Sequence, residues 1–194
     1  MHNTTAISNM KKGQSERGVI AGWDEGWTVV NVRGNPEDPQ FVNAVSGALG
    51  VAWPTAVNTT FLGTGLKVIW AGPDDWFVLS KNHAPAQLMD TLRKAVAGQH
   101  CAVTDVSSGY TLLNLTGPLV RELLAQGCPL DLHPRQFRVG QCAGSVFFKA
   151  SVWIWQTDDV PTYEVLVRSS FQDYVWLMLE RCSVESGFVK RIFA

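Results

Sequence analysis

The sequence predicts an α+β protein built from two packed split-βαβ units, and three observations support this fold class. Strands and helices are predicted in the order βαββαβ between residues 19 and 107, and a related α+β order recurs between residues 108 and 194. The 194 residues, 46% of them hydrophobic, can bury a sizeable core without disulfides. Each unit should place two helices on one face of an antiparallel sheet, the ferredoxin-like arrangement.

The chain shows no segment that would separate the two units. No Ser-, Gly- or Pro-rich linker lies between them, so we expect one globular body. Residues 1–18 are polar, lack the apolar core of a secretory signal, and are expected to be disordered. No uncharged apolar stretch reaches membrane-spanning length. These features predict a cytoplasmic protein that does not contact the membrane.

The first unit should begin with a β-branched strand, Trp27–Arg33. A helix is then expected, because Asp38 can cap it, Pro39 suits its first turn and Gly50 can end it in the left-handed conformation. Its apolar residues recur at three- and four-residue spacing on one face, namely Phe41, Val42, Val45 and Leu49.

The rest of the first unit is predicted as a hairpin, a helix and a strand. Leu66–Ala71 and Trp76–Ser80 flank a Gly-Pro-Asp-Asp turn. A helix from Pro85 to about Gly98 carries its apolar residues on one stripe. The strand Ala102–Val106 completes the βαββαβ order.

The second unit repeats the order of elements without repeating the sequence. Its predicted elements are a strand Thr111–Leu115, a helix Pro118–Gln126, one or two strands in Ser145–Trp155, a strand Tyr163–Val167, a helix Phe171–Val184 and a strand Phe188–Ile192. The last helix is expected to be the longest, with Ser169 and Gln172 forming a capping box. Thr116-Gly117-Pro118 marks the start of the earlier helix, where the Thr116 hydroxyl should cap the N-terminus and Pro118 should lie in the first turn. The free amides there could also hold an anion, although capping is favoured.

Charge and cysteine content exclude several function classes. The formal net charge is −1, and Lys11-Lys12 is the longest basic run, so nucleic-acid binding is disfavoured. Four widely spaced cysteines form no C-x-x-C pair and are expected to be buried thiols. No dinucleotide or phosphate-cradling loop is present, so no cofactor site is predicted.

One loop gathers three potential metal ligands, Cys128, Asp131 and His133. Pro129 and Pro134 make this segment a rigid turn, where Asp131 should accept hydrogen bonds from neighbouring backbone amides and His133 should be half-exposed. We therefore predict a structural loop and no metal site.

Another polar cluster lies between two predicted strands. Asp105 could in principle act as a general base. Asp and Ser at a bend instead satisfy free backbone groups, so Asp105, Ser107 and Ser108 are predicted to be structural, with Gly109 supplying any positive φ. No catalytic residue is predicted in this chain.

Eight tryptophans, at positions 23, 27, 53, 70, 76, 153, 155 and 176, are many for this length. Most should be core residues, because each offers a large apolar face. Some could anchor a partner surface, and Trp153 and Trp155 share one side of a strand. The excess favours a subunit over a free monomer.

Several motifs together resemble a known family. They are the run Thr104–Tyr110 (TDVSSGY), the segment Leu115–Pro118 (LTGP), the segment Gly127–Pro134 (GCPLDLHP), the turn Trp70–Trp76 (WAGPDDW) and Val167–Phe171 (VRSSF). This set is similar to the gamma subunit of heterotetrameric sarcosine oxidase, over most of the chain from about Thr28 onward.

The resemblance implies a place in an enzyme complex. Sarcosine oxidase oxidises sarcosine with flavin and oxygen, yielding glycine and hydrogen peroxide and passing one carbon to tetrahydrofolate. FAD, FMN and NAD would belong to the alpha and beta subunits and zinc to the delta subunit, so this chain is expected to bind none of them. The expected fold is similar to the folate-binding part of aminomethyltransferases, and the expected partners are the alpha, beta and delta subunits.

That fold raises an alternative, a stand-alone folate-binding one-carbon transferase. Aminomethyltransferases carry a Gly-Gly-Ile-x-Asp-Asp run whose carboxylate assists transfer. This chain reads Lys149–Ile154 in the corresponding region, and Asp158-Asp159 follows in a loop. We therefore favour a non-catalytic, assembly-supporting subunit packed on the alpha subunit. The motif residues that become candidates for contacts are Trp70, Gly72, Pro73, Asp74, Trp76, Asp105, Ser107, Gly109, Gly117, Pro118, Cys128, Pro129, Asp131, His133, Pro134, Arg168, Ser169 and Phe171.

Overall fold

The computed structural model describes residues 18–183 and the backbone of residues 188–190. In these residues, eleven strands form two sheets and four α-helices flank them. The strands are β1 Val19–Asp24, β2 Thr28–Arg33, β3 Thr60–Gly63, β4 Leu66–Gly72, β5 Asp75–Ser80, β6 Ala102–Asp105, β7 Tyr110–Thr116, β8 Cys142–Phe147, β9 Ala150–Asp158, β10 Thr162–Arg168 and β11 Phe188–Lys190. The helices are α1 Pro39–Leu49, α2 Pro85–Ala95, α3 Val120–Ala125 and α4 Gln172–Cys182.

The first sheet confirms the split-βαβ prediction. Its strands lie in the order β3-β4-β5-β2-β6 and all pair antiparallel. Without β3, this is the strand order of a ferredoxin-like unit. Strand β3 was not predicted from the sequence. It has only four residues, each partly buried, and its apolar and polar positions do not alternate.

The second sheet repeats the arrangement with one insertion. Its order is β11-β1-β7-β10-β9-β8, so β1 lies between β11 and β7. Residues 19–24 fall within the first predicted unit, yet they pair in the second sheet, with Ala21 opposite Leu115 and Gly22 opposite Asn114. No strand was predicted there, and a strand's partner is set by distant packing surfaces that the local sequence does not encode.

The two sheets pack face to face between two layers of helices. One core lies between the first sheet and helices α1 and α2, and another between the second sheet and helices α3 and α4. A third core joins the sheets, with Phe77 of β5 and Trp155 of β9 among its members. None of the helices in the described part has the length and apolar character needed to cross a bilayer.

Helix α1 begins and ends as the sequence predicts. The Asp38 side chain accepts a hydrogen bond from the Gln40 amide at 2.9 Å, and Gly50 is left-handed with φ 67°. Phe41 and Val45 are buried on the predicted face.

Replacing Asp38 with alanine should lower the free energy of unfolding by about 1 kcal/mol, because an amide of the first turn loses its acceptor. Urea denaturation followed by circular dichroism measures the change. Gln40→Ala leaves the cap intact and is the matched control. An unchanged midpoint for Asp38→Ala would show that the cap contributes nothing.

The predicted caps of the second unit's helices are wrong. Helix α3 begins at Val120 without a side-chain cap, because the Thr116 hydroxyl hydrogen-bonds the Thr162 hydroxyl at 2.8 Å. Ser169 does not cap α4: its hydroxyl donates to the Ser108 carbonyl, and residues 169–171 form a 3₁₀ turn. Helix α4 has 11 residues, as do α1 and α2, so it is not the longest.

The segment Ser145–Trp155 contains a hairpin of two strands, β8 and β9. Phe148 takes a positive φ of 52° in the two-residue turn. Strand β11 covers the first part of the predicted Phe188–Ile192, and residues 191–194 and Val184 lie outside the described residues. Residues 1–17, within the segment expected to be disordered, also lie outside them.

Candidate functional site

Two buried charges face each other between the sheets. Lys67 of β4 forms an ion pair with Glu164 of β10, and their side chains are 11% and 6% exposed. The second carboxylate oxygen of Glu164 accepts a hydrogen bond from the Trp155 indole at 2.7 Å. The Glu164 carboxylate is therefore stabilised by one cation, the Lys67 ammonium, and by one neutral hydrogen-bond donor, the Trp155 indole. Both groups belong to buried residues.

The network continues to the surface through aromatic and ionic contacts. The Lys67 ammonium lies 4.4 Å from the Trp27 ring centroid, and the Lys81 ammonium lies 5.4 Å from it. Lys81 in turn pairs with Asp24 of β1 at 2.7 Å. Each sheet thus supplies part of one network, which joins β4 and the residue that follows β5 to β1 and β10.

Sequence reasoning missed this network. The available signal was a charged residue between apolar neighbours inside a strand, Lys67 in Leu66–Gly72 and Glu164 in Thr162–Arg168. Such a residue is rarely buried without a partner. The pairing itself could not be read, because 97 residues separate the two.

The tryptophan-flanked turn lies at one end of the first sheet. Trp76 is fully buried and donates to the Pro54 carbonyl at 2.8 Å, whereas Trp70 is half-buried and Gly72 is partly exposed at the end of β4. Pro73 and Asp74 are exposed, and both oxygens of Asp74 contact the Arg33 guanidinium, at 2.9 and 3.0 Å.

An open cavity of about 700 Å³ adjoins this turn. It is lined by Arg33, Gly34, Asn35, Pro36, Glu37, Pro73, Asp74, His100, Cys101 and Ala102. Folate or flavin rings are usually held by aromatic and aliphatic side chains. This lining contains no Trp, Tyr or Phe, and the Arg33 guanidinium is paired with Asp74, so the cavity offers a folate or flavin no aromatic ring to stack on and no unpaired arginine.

Two motifs that are distant in sequence meet at the other end of the sheets. The Ser169 hydroxyl donates to the Ser108 carbonyl at 3.0 Å, and the Arg168 guanidinium lies 5.5 Å from the Tyr110 ring. Phe171 packs partly buried against the second sheet's helix-side core.

The turn between β6 and β7 is held by its own side chains. Asp105 accepts hydrogen bonds from the amide and the hydroxyl of Ser107, as the structural interpretation predicts. These hydrogen bonds lower the pKa of Asp105 from its ordinary value. Gly109 does not supply a positive φ, because residues 107–109 form a 3₁₀ turn that needs none.

Replacing Ser107 with alanine should raise the pKa of Asp105 towards its ordinary value, about 3.9, because the hydroxyl donor is lost. The carboxylate hydrogen bonds contribute stability above that pH and lose it as the pH falls through the lowered native pKa. A carboxyl-carbon NMR titration measures the pKa, with Ser108→Ala as the control. An unchanged pKa in Ser107→Ala would show that the hydroxyl has no effect.

The Cys128–Pro134 loop has the predicted structural character. Asp131 accepts a hydrogen bond from the His133 amide at 3.0 Å, and His133 is exposed rather than half-exposed. Pro129 and Pro134 are exposed as well, whereas Cys128 is buried with its sulfur 3.6 Å from the Ser145 hydroxyl. Among the described residues, no three His, Cys, Asp or Glu side chains are placed to hold a metal ion.

The four cysteines are free thiols, two buried and two only partly buried. Burial raises the pKa of Cys142 to about 12, and it raises the pKa of Cys101 and of Cys182. The prediction that all four are buried is therefore wrong for Cys101 and Cys182, which lie at the ends of elements. A nucleophilic thiol would need the opposite shift.

The motif residues thus occupy four separate places. The Trp70–Trp76 turn and the Asp105–Gly109 turn lie at opposite ends of the first sheet, because Asp75 pairs opposite Arg33 whereas Asp105 pairs opposite Val30. Gly117 and Pro118 lie at the far end of β7 from Tyr110.

The two-sheet architecture also occurs in part of a larger solved protein. The glycine-cleavage aminomethyltransferase T from Bartonella henselae is similar with a TM-score of 0.66 and 16% identity, over 91% of this chain and 49% of that protein. The chain is therefore a two-sheet α+β protein that shares its fold with this aminomethyltransferase, and its Lys67 and Glu164 charges are buried and paired with each other.

Sequence comparison identifies the family within this class. The sarcosine oxidase, gamma subunit family matches residues 33–185. The sarcosine oxidase subunit gamma of Corynebacterium sp. strain U-96 is 35% identical over 138 residues, which span 70% of this chain and 66% of that protein. A second, from Corynebacterium sp. strain P-1, is 31% identical over 78% of this chain and 74% of its own length.

A solved structure agrees. One chain of the heterotetrameric sarcosine oxidase of Corynebacterium sp. U-96, in complex with pyrrole 2-carboxylate, is similar with a TM-score of 0.80 and 30% identity, over 89% of this chain and 87% of that one. The chain belongs to the sarcosine oxidase gamma subunit family. The resemblance drawn from the five motifs is confirmed.

Proposed function

We propose that this chain is a non-catalytic subunit that supports the assembly of a heterotetrameric sarcosine oxidase. The observation that carries the proposal is its similarity, over nearly its whole length, to one chain of such a heterotetramer. That relative belongs to a heterotetramer, and this chain shares its fold over 89% of its residues, so an equivalent place in such a complex is the role we propose.

The non-catalytic part of the proposal is supported by how several reactive groups of this chain are held. Lys67 and Glu164 neutralise each other in the interior, and Asp105 is tied to Ser107. The Cys142 thiol is protonated at neutral pH, because its pKa is raised to about 12. The open cavity offers a paired arginine and no aromatic ring.

The cofactors and the one-carbon acceptor would then be bound elsewhere in the complex. FAD, FMN and NAD would be held by the alpha and beta subunits and zinc by the delta subunit, and tetrahydrofolate would bind outside this chain. The large alpha subunit is the proposed direct partner, in the cytoplasm. Exposed motif residues supply candidate contacts: Pro73, Asp74, Asp105, Gly109, Pro118, Pro129, Asp131, His133, Pro134 and Arg168.

The alternative of a stand-alone folate transferase is not favoured by the site. In the segment that replaces the aminomethyltransferase carboxylate run, Lys149 lies in the β8–β9 turn and Ile154 is buried in β9. Asp158 and Asp159 are exposed at the next turn, away from the intersheet core. Similarity to aminomethyltransferase at 16% identity concerns the fold alone.

The proposal is tested by affinity purification of the tagged full chain from its own cells grown on sarcosine, followed by a visible spectrum. We expect co-purified subunits and flavin absorption bands. Isothermal titration of the isolated chain with tetrahydrofolate should give no heat at high ligand excess. A colourless single chain that binds tetrahydrofolate at micromolar concentration would overturn the proposal in favour of the transferase.

A further inference from the structure

Strand β8 is a sheet edge that lacks the usual protection beyond Cys142, where the pairing with residues 58–60 ends. Edge strands of monomeric proteins are commonly short, charged, interrupted by proline or covered. Strand β8 has six residues, CAGSVF, with no charge and no proline. By contrast, β6 has four residues ending in Asp105, and the Thr60 amide at the start of β3 is bonded to the Gly140 carbonyl at 2.9 Å.

Alternate residues of β8 direct their backbone amides and carbonyls away from the neighbouring strand β9. The hairpin closes on the pair Phe147 and Ala150, and the Cys142 amide points away from β9 to bond the Asn58 carbonyl at 2.9 Å. Groups in an antiparallel strand alternate, so the amides and carbonyls of Gly144 and Val146 also point away from β9. Neither residue has a backbone partner within the part of the chain that the structure describes.

The side chains beside this edge form an apolar shelf. Gly144 is exposed and Val146 is 39% exposed, on the same face as Trp153, which pairs opposite Gly144. The Trp153 ring lies 4.9 Å from Phe77 and 6.2 Å from Tyr110. The Trp153 indole nitrogen is buried without a hydrogen-bond partner.

The charges of the residues around β8 indicate what kind of partner strand would pair with this edge. No Asp or Glu occurs from residue 132 to residue 157, whereas Arg135, Arg138 and Lys149 are all exposed. These cations precede and follow the edge strand. An acidic partner would be attracted, and a second copy of the chain added antiparallel would bring like charges together.

We propose that β8 is a docking edge to which an extended acidic segment of a partner subunit adds as a seventh strand of the second sheet. The backbone of Gly144 and Val146 would supply hydrogen bonds, and the shelf formed by Val146 and Trp153 would receive the partner's apolar side chains. This inference rests on the proposed subunit function and specifies one surface for it.

A proline substitution isolates the backbone contribution. Val146→Pro removes one outward amide, and the fold should tolerate it because that amide makes no bond in the second sheet. Val146→Thr keeps the amide and the β-branched shape and is the matched control. Lys149→Glu tests the charge, with Lys94→Glu on the exposed surface of α2 as its control.

The measurement is the affinity of each full-length variant for the complex of the other subunits, by biolayer interferometry at low and high salt, with circular dichroism to establish folding. We expect Val146→Pro to weaken binding at least about tenfold, equal to 1.4 kcal/mol, and Val146→Thr to bind as wild type. Lys149→Glu should weaken binding at low salt and less at high salt.

The outcomes separate this inference from the proposed function. If the wild-type chain does not bind the other subunits, the proposed function fails and the inference with it. If the wild type binds and a folded Val146→Pro binds equally well, the docking edge alone is overturned. A wild-type homodimer that Val146→Pro dissolves would overturn the acidic partner in favour of a second copy.

Discussion

Replacing Glu164 with alanine should lower the free energy of unfolding by about 3–5 kcal/mol, because it leaves the Lys67 charge buried without a counter-charge. The Trp155 indole would lose its acceptor as well. The two partners lie on different sheets, so the loss falls on the contact that holds the sheets together. Urea denaturation monitored by tryptophan fluorescence measures the change.

Two further variants show whether charge burial is the cause. The double substitution of Lys67→Met with Glu164→Leu removes both charges and should recover most of the lost stability. Asp90→Ala breaks the exposed pair with Lys94 and should cost less than about 0.5 kcal/mol. A loss below about 1 kcal/mol for Glu164→Ala would contradict a tightly coupled buried pair.

Replacing Gly117 with alanine should cost about 2–4 kcal/mol, for two reasons. Gly117 has a φ of 128°, which side-chain-bearing residues rarely adopt. A β-carbon there would also overlap the Gly18 carbonyl oxygen, where β1 enters the second sheet beside β7. Thermal and urea unfolding of the purified chain measure the loss.

Gly109→Ala is the matched control, because Gly109 has no positive φ and a β-carbon there meets no atom within 4 Å. It should change stability by less than about 0.5 kcal/mol. Equal effects of the two substitutions would show that the Gly117 conformation is not required. The glycine of the LTGP motif would then need another explanation.

The order of the elements could be predicted because local patterns encode it. The Asp38 cap, the Gly50 end and the Pro73 turn each depend on residues within one or two turns of chain. The sheet pairing of each unit then follows from the split-βαβ order. Strand β1 could not be assigned, because its place between β7 and β11 depends on residues about 90 and 170 positions away.

The capping errors have one common cause. Thr116 and Ser169 have the residue types of helix caps, but tertiary partners bind their hydroxyls, in β10 and in the β6–β7 turn. The site residues divide in the same way, because local contacts were predicted and long-range contacts were not. The local hydrogen bonds of Asp105 and Asp131 were predicted, whereas the Lys67–Glu164 pair, which joins the sheets, was not.

The decisive measurement is an omission and add-back assay on the whole complex. The other subunits would be co-expressed with and without this chain, and sarcosine-dependent peroxide formation would be measured per flavin, with native mass spectrometry of each preparation. We expect an incomplete, unstable and weakly active assembly without the chain, and recovery of mass and activity when the purified chain is added. Full activity and stability in its absence would contradict an assembly-supporting role.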